Sequence, residues 1–351
     1  MDDQAINHEL AVPARPAEQW RRAMSDVAIR TTDLRKSFPV GRSAVAAVDG
    51  VDLEVKAGEI FGFLGPNGAG KTTVLRLLAT LLPIDGGRAS LAGFDVATQS
   101  GEVRRHVGYV SQLGGADDEA TGYQDMILQG RLYGMSAAAA AARARELAEL
   151  LGLSEFAERK IKTYSGGQKR RLDVASGIMH EPDVLFLDEP TTGLDPQNRA
   201  NMWDQIRRLR ESGTTVFLTT HYLEEADALS DHVAILDHGS VVAQGTPREL
   251  KAQIAGDAVI IRPRLDGDSI SHLLDRFVSA SMVRNGQVEG DALRLYVDDG
   301  PSALPQLFAL LEAHNVAIDS VSLSEPSLDD VFLRQTGRSL RDAGRSEGNG
   351  S

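Results

Sequence analysis

Short apolar runs separated by turn residues follow one another along most of the chain. Residues 27–30 and 45–55 carry β-type patterns on either side of a glycine-containing loop, which predicts an antiparallel β-layer. Residues 59–64 form a largely apolar run that is typical of a buried strand. A glycine-rich turn follows, and residues 72–82 place apolar side chains at helical spacing until Pro83 ends the helix.

The middle of the chain predicts helices, and the segment after it predicts a parallel sheet. Residues 116–179 are mostly helical in pattern and include an alanine-rich run for which Ser136 is a suitable N-cap. Residues 184–187 and 215–218 are apolar, and a helical pattern near 198–211 separates them. Such runs are typical of parallel strands buried on both faces. The predicted fold class is therefore α/β, with a mixed sheet core beside the antiparallel layer.

The pattern changes after a turn at residues 245–247 and a short helix, and we place a second domain at residues 256–337. The order of its elements, βαββαβ, predicts a small ferredoxin-like α+β unit. Its strands are expected at 258–262, near Val283, at 293–297 and at 316–323, and its helices at 269–278, 302–313 and 328–336.

Both ends of the chain are polar. Residues 1–26 contain no apolar segment after the Arg21-Arg22 pair, so they predict a mobile tail rather than a secretory or twin-arginine signal. Residues 338–351 are rich in Gly, Ser and Arg and predict a disordered tail. The first folded domain is then expected to span residues 27–255.

Composition excludes several classes of function. The chain has 351 residues, of which 42% are apolar and 25% charged, an ordinary balance for one large or two medium globular domains. Its formal net charge of −13 repels nucleic acid, so no nucleic-acid partner is expected. The absence of cysteine excludes disulfides, thiolate catalysis and cysteine metal sites. The longest strongly apolar stretch, 74–84, contains Arg76 and is shorter than the roughly 20 residues that cross a bilayer.

The strongest chemical signal lies between the predicted buried strand and the helix that follows it. Residues 65–72 match the G-x-x-x-x-G-K-[ST] pattern at every position. Loop N–H groups and the helix N-terminus suit phosphates, while Lys71 can reach the β- and γ-phosphates and Thr72 can ligate Mg²⁺. The predicted phosphate-binding residues are Gly65, Pro66, Asn67, Gly68, Ala69, Gly70, Lys71, Thr72 and the adjoining Thr73.

Two carboxylates follow the next buried strand. Asp188 and Glu189 come directly after the run 184–187 and are expected at the carboxyl edge of the parallel sheet, where α/β proteins form their sites. Asp188 can hold Mg²⁺, directly or through water, and Glu189 can polarise an attacking water as a general base. Together with the glycine loop, the pair predicts a Mg²⁺-assisted phosphate site.

Further motifs make the chain from about residue 27 onward resemble the nucleotide-binding subunits of ABC transporters. Residues 164–168, Tyr-Ser-Gly-Gly-Gln, resemble the signature sequence of that family, with Tyr164 where leucine is usual. In the family, this helix start closes on the γ-phosphate of ATP bound by the opposing subunit, and N–H groups at a helix start do attract anions. The resemblance implies ATP contacts from Ser165, Gly166, Gly167 and Gln168.

The resemblance also assigns roles to four single residues. Gln112 matches the Q-loop glutamine, which contacts Mg²⁺ or the attacking water and leads toward the membrane partner. Asp195 matches the D-loop aspartate that communicates across a dimer, and His221 matches the switch histidine that touches the γ-phosphate. Phe38 stands where an aromatic ring stacks on adenine. The implied catalytic residues are Glu189, His221, Gln112 and Lys71, and the implied metal ligands are Thr72, Gln112 and Asp188.

The C-terminal segments 327–333 and 336–338, together with residues 130–134, are similar to the daunorubicin-resistance type of drug-export ATPase. This resemblance implies a P-loop ABC-type ATPase with a helical subdomain at about 116–179 and a C-terminal accessory domain. It implies a head-to-tail homodimer that sandwiches two MgATP. It further implies a peripheral position at the cytoplasmic face of the cell membrane, where the dimer drives a separately encoded permease that exports hydrophobic drugs or antibiotics.

Two other functions stay open at this point. ATPases that serve lipid, polysaccharide or peptide transport, including importers, can carry similar sequences. A soluble ABC ATPase of translation or DNA repair is the second alternative. Such proteins usually join two cassettes or carry long coiled-coil insertions, whereas this chain has one cassette, no long heptad segment and an acidic balance.

Overall fold

The structure, a computed structural model, describes residues 26–340 except 42, 255, 256, 266, 280–282, 284 and 325. The chain divides into two compact units, and the second begins at Gly245. Apart from Asp26, the predicted N-terminal tail at 1–26 lies outside the described residues, and so does the predicted C-terminal tail from residue 341 onward.

The first unit contains two sheets, whose strands we number in chain order. They are β1 (Val27–Val40), β2 (Ser43–Lys56), β3 (Ile60–Leu64), β4 (Gly86–Leu91), β5 (Phe94–Asp95), β6 (Val107–Val110), β7 (Val184–Asp188), β8 (Thr215–Thr220), β9 (His232–Asp237) and β10 (Ser240–Gly245). One sheet is antiparallel in the order β2-β1-β4-β5, which confirms the predicted layer. On β2, buried Val51, Leu53 and Val55 alternate with exposed charged residues, so one face packs on the core.

The other sheet has six strands in the order β10-β9-β3-β8-β7-β6. Neighbouring strands from β9 to β6 in that order run parallel. Every residue of β3, β7 and β8 is buried, which explains their largely apolar sequences. Because these strands run in the same direction, the loops after β3, β6, β7 and β8 all emerge at one edge of the sheet.

Seven helices accompany these sheets in the described part of the first unit. They are α1 (Lys71–Leu78), α2 (Ser100–His106), α3 (Gly122–Leu132), α4 (Ala137–Leu150), α5 (Gly166–Gly177), α6 (Pro196–Glu211) and α7 (Leu223–Leu229). Helix α1 ends before the predicted Leu82, because Thr80 adopts a left-handed backbone with φ of 61°.

Helices α3, α4 and α5 lie within the segment 116–179 and share an apolar core with one another. That core includes Met126 from α3, Leu147 from α4 and Leu172 from α5. Ser136 caps α4 by accepting a hydrogen bond from the N–H of Ala139, as the sequence predicts. This cluster holds the start of α5, where the signature sequence lies.

The second unit is a ferredoxin-like α+β fold, as predicted. Its described elements are α8 (Pro247–Ala252), β11 (Asp257–Pro263), α9 (Gly267–Ser279), β12 (Asn285–Glu289), β13 (Ala292–Val297), α10 (Gly300–Ala313), β14 (Ile318–Ser324) and α11 (Leu328–Thr336). The strands form an antiparallel sheet in the order β12-β13-β11-β14 around a core that includes Val259, Phe277 and Leu307. Helix α8 packs on α11, so this unit begins at Gly245 instead of residue 256.

The chain stays packed beyond residue 338, where the sequence predicts the start of a disordered tail. Leu340 is buried, and its N–H donates to Asp329 Oδ1 at 2.9 Å. Along the part of the chain that the structure describes, no helix is both long enough and apolar enough to cross a membrane.

Candidate functional site

The glycine loop after β3 forms the centre of the site. Gly70 adopts φ of 104°, and a Cβ there would lie 2.2 Å from the carbonyl oxygen of Ala47, so only glycine fits. Gly70 is also the N-cap of α1, and no described side chain caps this helix. The first N–H groups of α1 therefore remain available to a ligand, and a helix N-terminus attracts anions.

Lys71 points back into this loop. Its Nζ donates to the carbonyl oxygens of Gly65 at 2.8 Å and Pro66 at 2.9 Å, and it lies 3.8 Å from Glu189 Oε1. Burial lowers the pKa of Lys71, and the carboxylates of Glu189 and Asp188 oppose that shift only in part. A buried ammonium group surrounded by loop carbonyls is suited to binding a phosphate at the mouth of the loop.

Asp188, at the end of β7, is held by two hydroxyl groups. Thr72 Oγ1 donates to Asp188 Oδ1 at 3.0 Å, and Thr219 Oγ1 donates to the same oxygen at 2.7 Å. Thr72 lies in the first turn of α1 and Thr219 belongs to β8, so Asp188 joins three elements at the edge of the sheet. The structure thus brings together two of the three predicted metal ligands.

Glu189 has a backbone conformation that residues other than glycine rarely adopt. Its φ is 47°, and its N–H donates to the carbonyl oxygen of Thr219 at 3.2 Å and to Thr219 Oγ1 at 3.0 Å. Its carboxylate accepts hydrogen bonds from Gln112 Nε2 at 3.2 Å and Thr192 Oγ1 at 3.1 Å. His221 Nδ1 lies 3.2 Å from the same oxygen, Oε2, a contact that is an ion pair only when the imidazole is protonated.

These neighbours keep Glu189 ionised. Burial raises the pKa of Glu189, but contacts with His221, Lys71 and Thr192 outweigh burial, so the pKa lies below its ordinary value. The carboxylate is therefore in the proton-accepting form at neutral pH. Glu189 thus contacts the other three predicted catalytic residues, Gln112, His221 and Lys71. Gln112, also predicted as a metal ligand, places its amide nitrogen on Glu189.

The signature residues lie at the start of α5. Ser165 and Gln168 form a capping box, and Gly166 is exposed with nothing within 4 Å of a Cβ built there. Tyr164 turns into the core of the helical segment, where its hydroxyl donates to the carbonyl oxygen of Phe156 at 2.8 Å. Tyr164 therefore packs as an apolar anchor, which explains how it can stand in place of leucine.

Asp195 caps α6 and contacts the signature helix through Asn198. Its Oδ1 accepts from the N–H of Asn198 at 2.9 Å and its Oδ2 from Asn198 Nδ2 at 2.6 Å. A Cβ at Gly167 would lie 2.6 Å from Asn198 Oδ1, so α5 and the start of α6 approach closely. Among the described residues, no hydrogen bond or ion pair joins residues 165–168 to the glycine loop of the same chain.

Phe38 lies on the hairpin formed by β1 and β2. It pairs with Val45 and is half-buried, and Lys36 Nζ lies 5.6 Å from the centre of its ring. The same hairpin contains Ala47, whose carbonyl oxygen packs against Gly70. The hairpin therefore lies beside the glycine loop.

Sequence reasoning missed three residues of this site. Thr219 fixes both Asp188 and the backbone of Glu189. Arg170, in the basic run after the signature, is buried and bonds to backbone carbonyls of the site. Tyr109, on β6, lies close enough to Asp188 that this carboxylate adds to the effect of burial in raising the pKa of its phenol. A threonine on a strand and an arginine in a basic run carry no sequence signal for such contacts.

The fold and the arrangement of these residues define a P-loop ATPase of the ABC type. Residues 48–192 match the ABC transporter family, and residues 245–336 match the C-terminal domain of DrrA1-3-like ATP-binding proteins. The dimeric structure of a post-hydrolysis state of the ATP-binding cassette MJ0796, bound to ADP and Pi, has a TM-score of 0.57 at 25% identity. The match covers 62% of this chain and 98% of that chain, and it confirms the predicted fold class.

Relatives that align with nearly the whole chain identify the kind of ABC ATPase more closely. The daunorubicin/doxorubicin resistance ATP-binding protein DrrA of Streptomyces peucetius is 44% identical over 322 residues, 91% of this chain and 96% of that protein. The Nod factor export ATP-binding protein I of Ralstonia nicotianae is 38% identical over 309 residues, 88% of this chain and 94% of that protein. The chain belongs to the ATP-binding subunits of ABC transporters, and the resemblance to the daunorubicin-resistance type is confirmed.

Proposed function

We propose that this ATPase subunit powers an exporter of hydrophobic drugs or antibiotics. The observation that carries this proposal is that similarity to DrrA extends beyond the cassette into the second unit. The cassette alone is shared by transporters of many cargoes. A second candidate is an exporter of a cargo other than drugs, because one relative, 38% identical, is a Nod factor export ATP-binding protein.

In the proposed mechanism, Lys71 and the backbone N–H groups of residues 67–72 bind the ATP phosphates, while Phe38 stacks on the adenine. The Thr72 hydroxyl and the Asp188 carboxylate are hard oxygen donors that fit Mg²⁺, the nucleotide supplying further oxygens. Bound there, Mg²⁺ would neutralise charge on the phosphates.

The carboxylate of Glu189 accepts a proton from the attacking water, and Gln112 orients that water. His221, beside Glu189, donates to the γ-phosphate. The contacts of Gln112 and His221 with Glu189 and its lowered pKa support these assignments.

The proposed site needs a second copy of the chain. Ser165 and Gly166 are exposed at the head of α5, whereas their predicted target is a γ-phosphate. A head-to-tail homodimer supplies these residues from the opposing subunit. Asp195 lies near them, because it is hydrogen-bonded to Asn198, which packs against Gly167. Contacts to the γ-phosphate that exist only in the closed dimer shift the population toward closure, and hydrolysis then resets it.

The proposed permease contact lies on the helical segment and the loop after β6. Four large apolar side chains are exposed there: Leu113 at 96%, Leu128 at 54%, Leu132 at 72% and Tyr133 at 45%. Gln112 precedes Leu113, so a partner at this surface can sense the catalytic centre. We place the protein peripherally at the cytoplasmic face of the cell membrane, bound to a separately encoded permease.

A pull-down tests the proposal. Tagged Glu189→Gln protein is recovered from a mild-detergent membrane extract with MgATP, and Leu113→Asp/Leu132→Asp protein serves as the matched control. Recovery of a polytopic membrane protein, lost in the control, supports the transporter and supplies the chain whose cargo can be measured in vesicles. Recovery of ribosomes, repair factors or only a self-dimer contradicts it.

A further inference from the structure

Arg170 occupies a position in the structure that the proposed mechanism does not use. It lies in α5, two positions after Gln168, and only 7% of its surface is exposed. Its guanidinium donates to three backbone carbonyl oxygens: Nη2 to Asp188 at 2.8 Å, Nε to Pro190 at 2.9 Å, and Nη1 to Ser111. Arginine presents its donors as a rigid planar fork, so three carbonyls are fixed relative to one another.

Two of these carbonyls belong to the residues on either side of Glu189. The guanidinium therefore spans the left-handed backbone of Glu189, whose φ is 47°. A left-handed non-glycine residue persists only where its surroundings hold it. On the other side of the same loop, Thr191 Oγ1 donates to the fully buried Glu225 at 2.8 Å. The segment that carries Glu189 is thus held from both sides.

The third carbonyl belongs to Ser111, directly before Gln112. The amide of Gln112 reaches the carboxylate of Glu189 at 3.2 Å, so Arg170 fixes the backbones of two side chains that meet. Arg170 itself belongs to the helix that begins with the signature serine. A shift of α5 when the dimer closes would therefore move the backbones beside both Gln112 and Glu189.

We infer that Arg170 is a positioning residue that aligns Glu189 and Gln112 for hydrolysis and couples their alignment to the position of the signature helix. This inference rests on the proposed role of Glu189 as the base. Arg170 bonds to three backbone carbonyl oxygens and lies 4.0 Å from the Asp173 carboxylate on its own helix, so it acts on Glu189 and Gln112 through their backbones. Its loss should consequently affect turnover and leave ATP binding intact.

The neighbouring Arg171 provides a matched control. It belongs to the same helix, but its Nη1 donates to the carbonyl oxygen of Gly152 at 3.0 Å and its guanidinium carbon lies 5.2 Å from the centre of the Phe156 ring. Arg171→Gln removes the same charge and the same hydrogen-bonding group without touching residues 111, 188 or 190.

The test measures kcat, KM for ATP and melting temperature for the purified chain and its Arg170→Gln, Arg170→Lys and Arg171→Gln variants. We expect kcat of Arg170→Gln to fall by roughly tenfold to a hundredfold, with KM changed by less than roughly twofold. Arg170→Lys should not restore kcat, because a single ammonium cannot span the three carbonyls. Arg171→Gln should keep the wild-type kcat. If Arg170→Gln does not fold, Arg170→Lys alone decides the question.

A double-mutant cycle separates positioning from general structure. In the Glu189→Gln background, Arg170→Gln should lower the residual rate by much less than it lowers the wild-type rate, because the carboxylate that Arg170 aligns is absent and only the effect through Gln112 remains. Unchanged kcat in Arg170→Gln, full rescue by lysine, or an equal loss of rate in both backgrounds would overturn the inference. Wild-type turnover in Glu189→Gln itself would instead overturn the proposed base.

Discussion

Two helix starts differ in how they are capped: the start of α1 in the first unit and the start of α11 in the second unit. Both have charged residues nearby, but only α11 is capped by a described side chain. Gly70 begins α1 without a described side-chain cap. At α11, Ser327 and Asp330 form a capping box, Tyr296 donates its hydroxyl to Asp330, and Arg294 lies 3.6 Å from the same carboxylate. The first helix start leaves its N–H groups for a ligand, whereas at the second the Ser327 hydroxyl accepts a hydrogen bond from the N–H of Asp330.

This difference separates a binding motif from a packing motif. Residues 327–333 matched the drug-export type by sequence, and the structure gives them a local role: Leu328, Val331 and Phe332 are buried, and Asp330 joins α11 to Tyr296 on β13. A sequence motif can thus mark a subfamily through its packing. The two regions should respond differently to substitution, one in ATP turnover and the other in stability.

Glu189→Gln should have the largest effect on the nucleotide side. Because the substitution removes the proposed base and keeps the shape, we expect turnover to fall by about a hundredfold to ten-thousandfold while ATP still binds. Phosphate release and nucleotide binding measure the two quantities. Glu224→Gln, at an exposed glutamate on α7, is the control and should keep normal turnover. Normal turnover in Glu189→Gln would remove the base assignment.

Asp330→Ala should have the reverse profile. It removes the Asp330 half of the capping box and leaves the buried Tyr296 hydroxyl without its acceptor, while Arg294 keeps only Glu289, and we expect a cost of about 2–4 kcal/mol of stability. Denaturant unfolding and hydrogen exchange in α11 measure the loss. Ser327→Ala removes the cap alone and should cost about 1 kcal/mol. A large loss of ATP affinity in Asp330→Ala would erase the distinction between the two helix starts.

Lys71→Met should weaken ATP binding by roughly tenfold to a hundredfold, the value of a charge-assisted hydrogen bond to phosphate. The methionine is unbranched and only one atom shorter than lysine, so the folded state should survive, as a melting curve can show. Lys162→Met, at an exposed lysine paired with Glu119, serves as the comparison and should bind ATP normally. Equal affinity in the two variants would argue against phosphate binding by Lys71.

Protonation of His180 should lower the stability of the fold and leave the ATP site unaffected. Burial lowers its pKa to about 4, and its ring stacks on Tyr133 with 3.6 Å between centres. As the pH falls, His180 is protonated in the unfolded chain before it is protonated in the folded one. The free energy of unfolding is therefore full above about pH 6.5 and falls by about 1.4 kcal/mol per pH unit toward pH 4. Urea unfolding at pH 7 and pH 5 should show a difference about 2 kcal/mol smaller in His180→Gln. An unchanged difference would show that His180 contributes no such linkage.

Much of this architecture could be predicted because its causes are local. The glycine loop needs a positive φ at Gly70, and the sequence motif at residues 65–72 predicts this requirement directly. The βαββαβ order of the second unit follows from apolar periodicity. The start of that unit was less visible, since α8 belongs to it only through packing on α11, far along the chain.

Contacts between distant segments could not be predicted. Arg170 reaches Ser111 and Asp188 across the fold, and Thr219 reaches Asp188 from the neighbouring strand. The left-handed backbone of Glu189 follows from those contacts and leaves no trace in its own sequence. Tyr164 looks like a departure from the signature until its burial against Phe156 is seen.

We propose that the open helix start in the first unit is half of an ATP site that a second copy of the chain completes. Native mass spectrometry of Glu189→Gln protein with MgATP tests it directly. We expect a dimer that holds two ATP molecules and that is lost when Ser165→Arg blocks the exposed start of α5. A monomer that binds one ATP at saturating nucleotide, or a dimer that the Ser165 variant leaves intact, would contradict it.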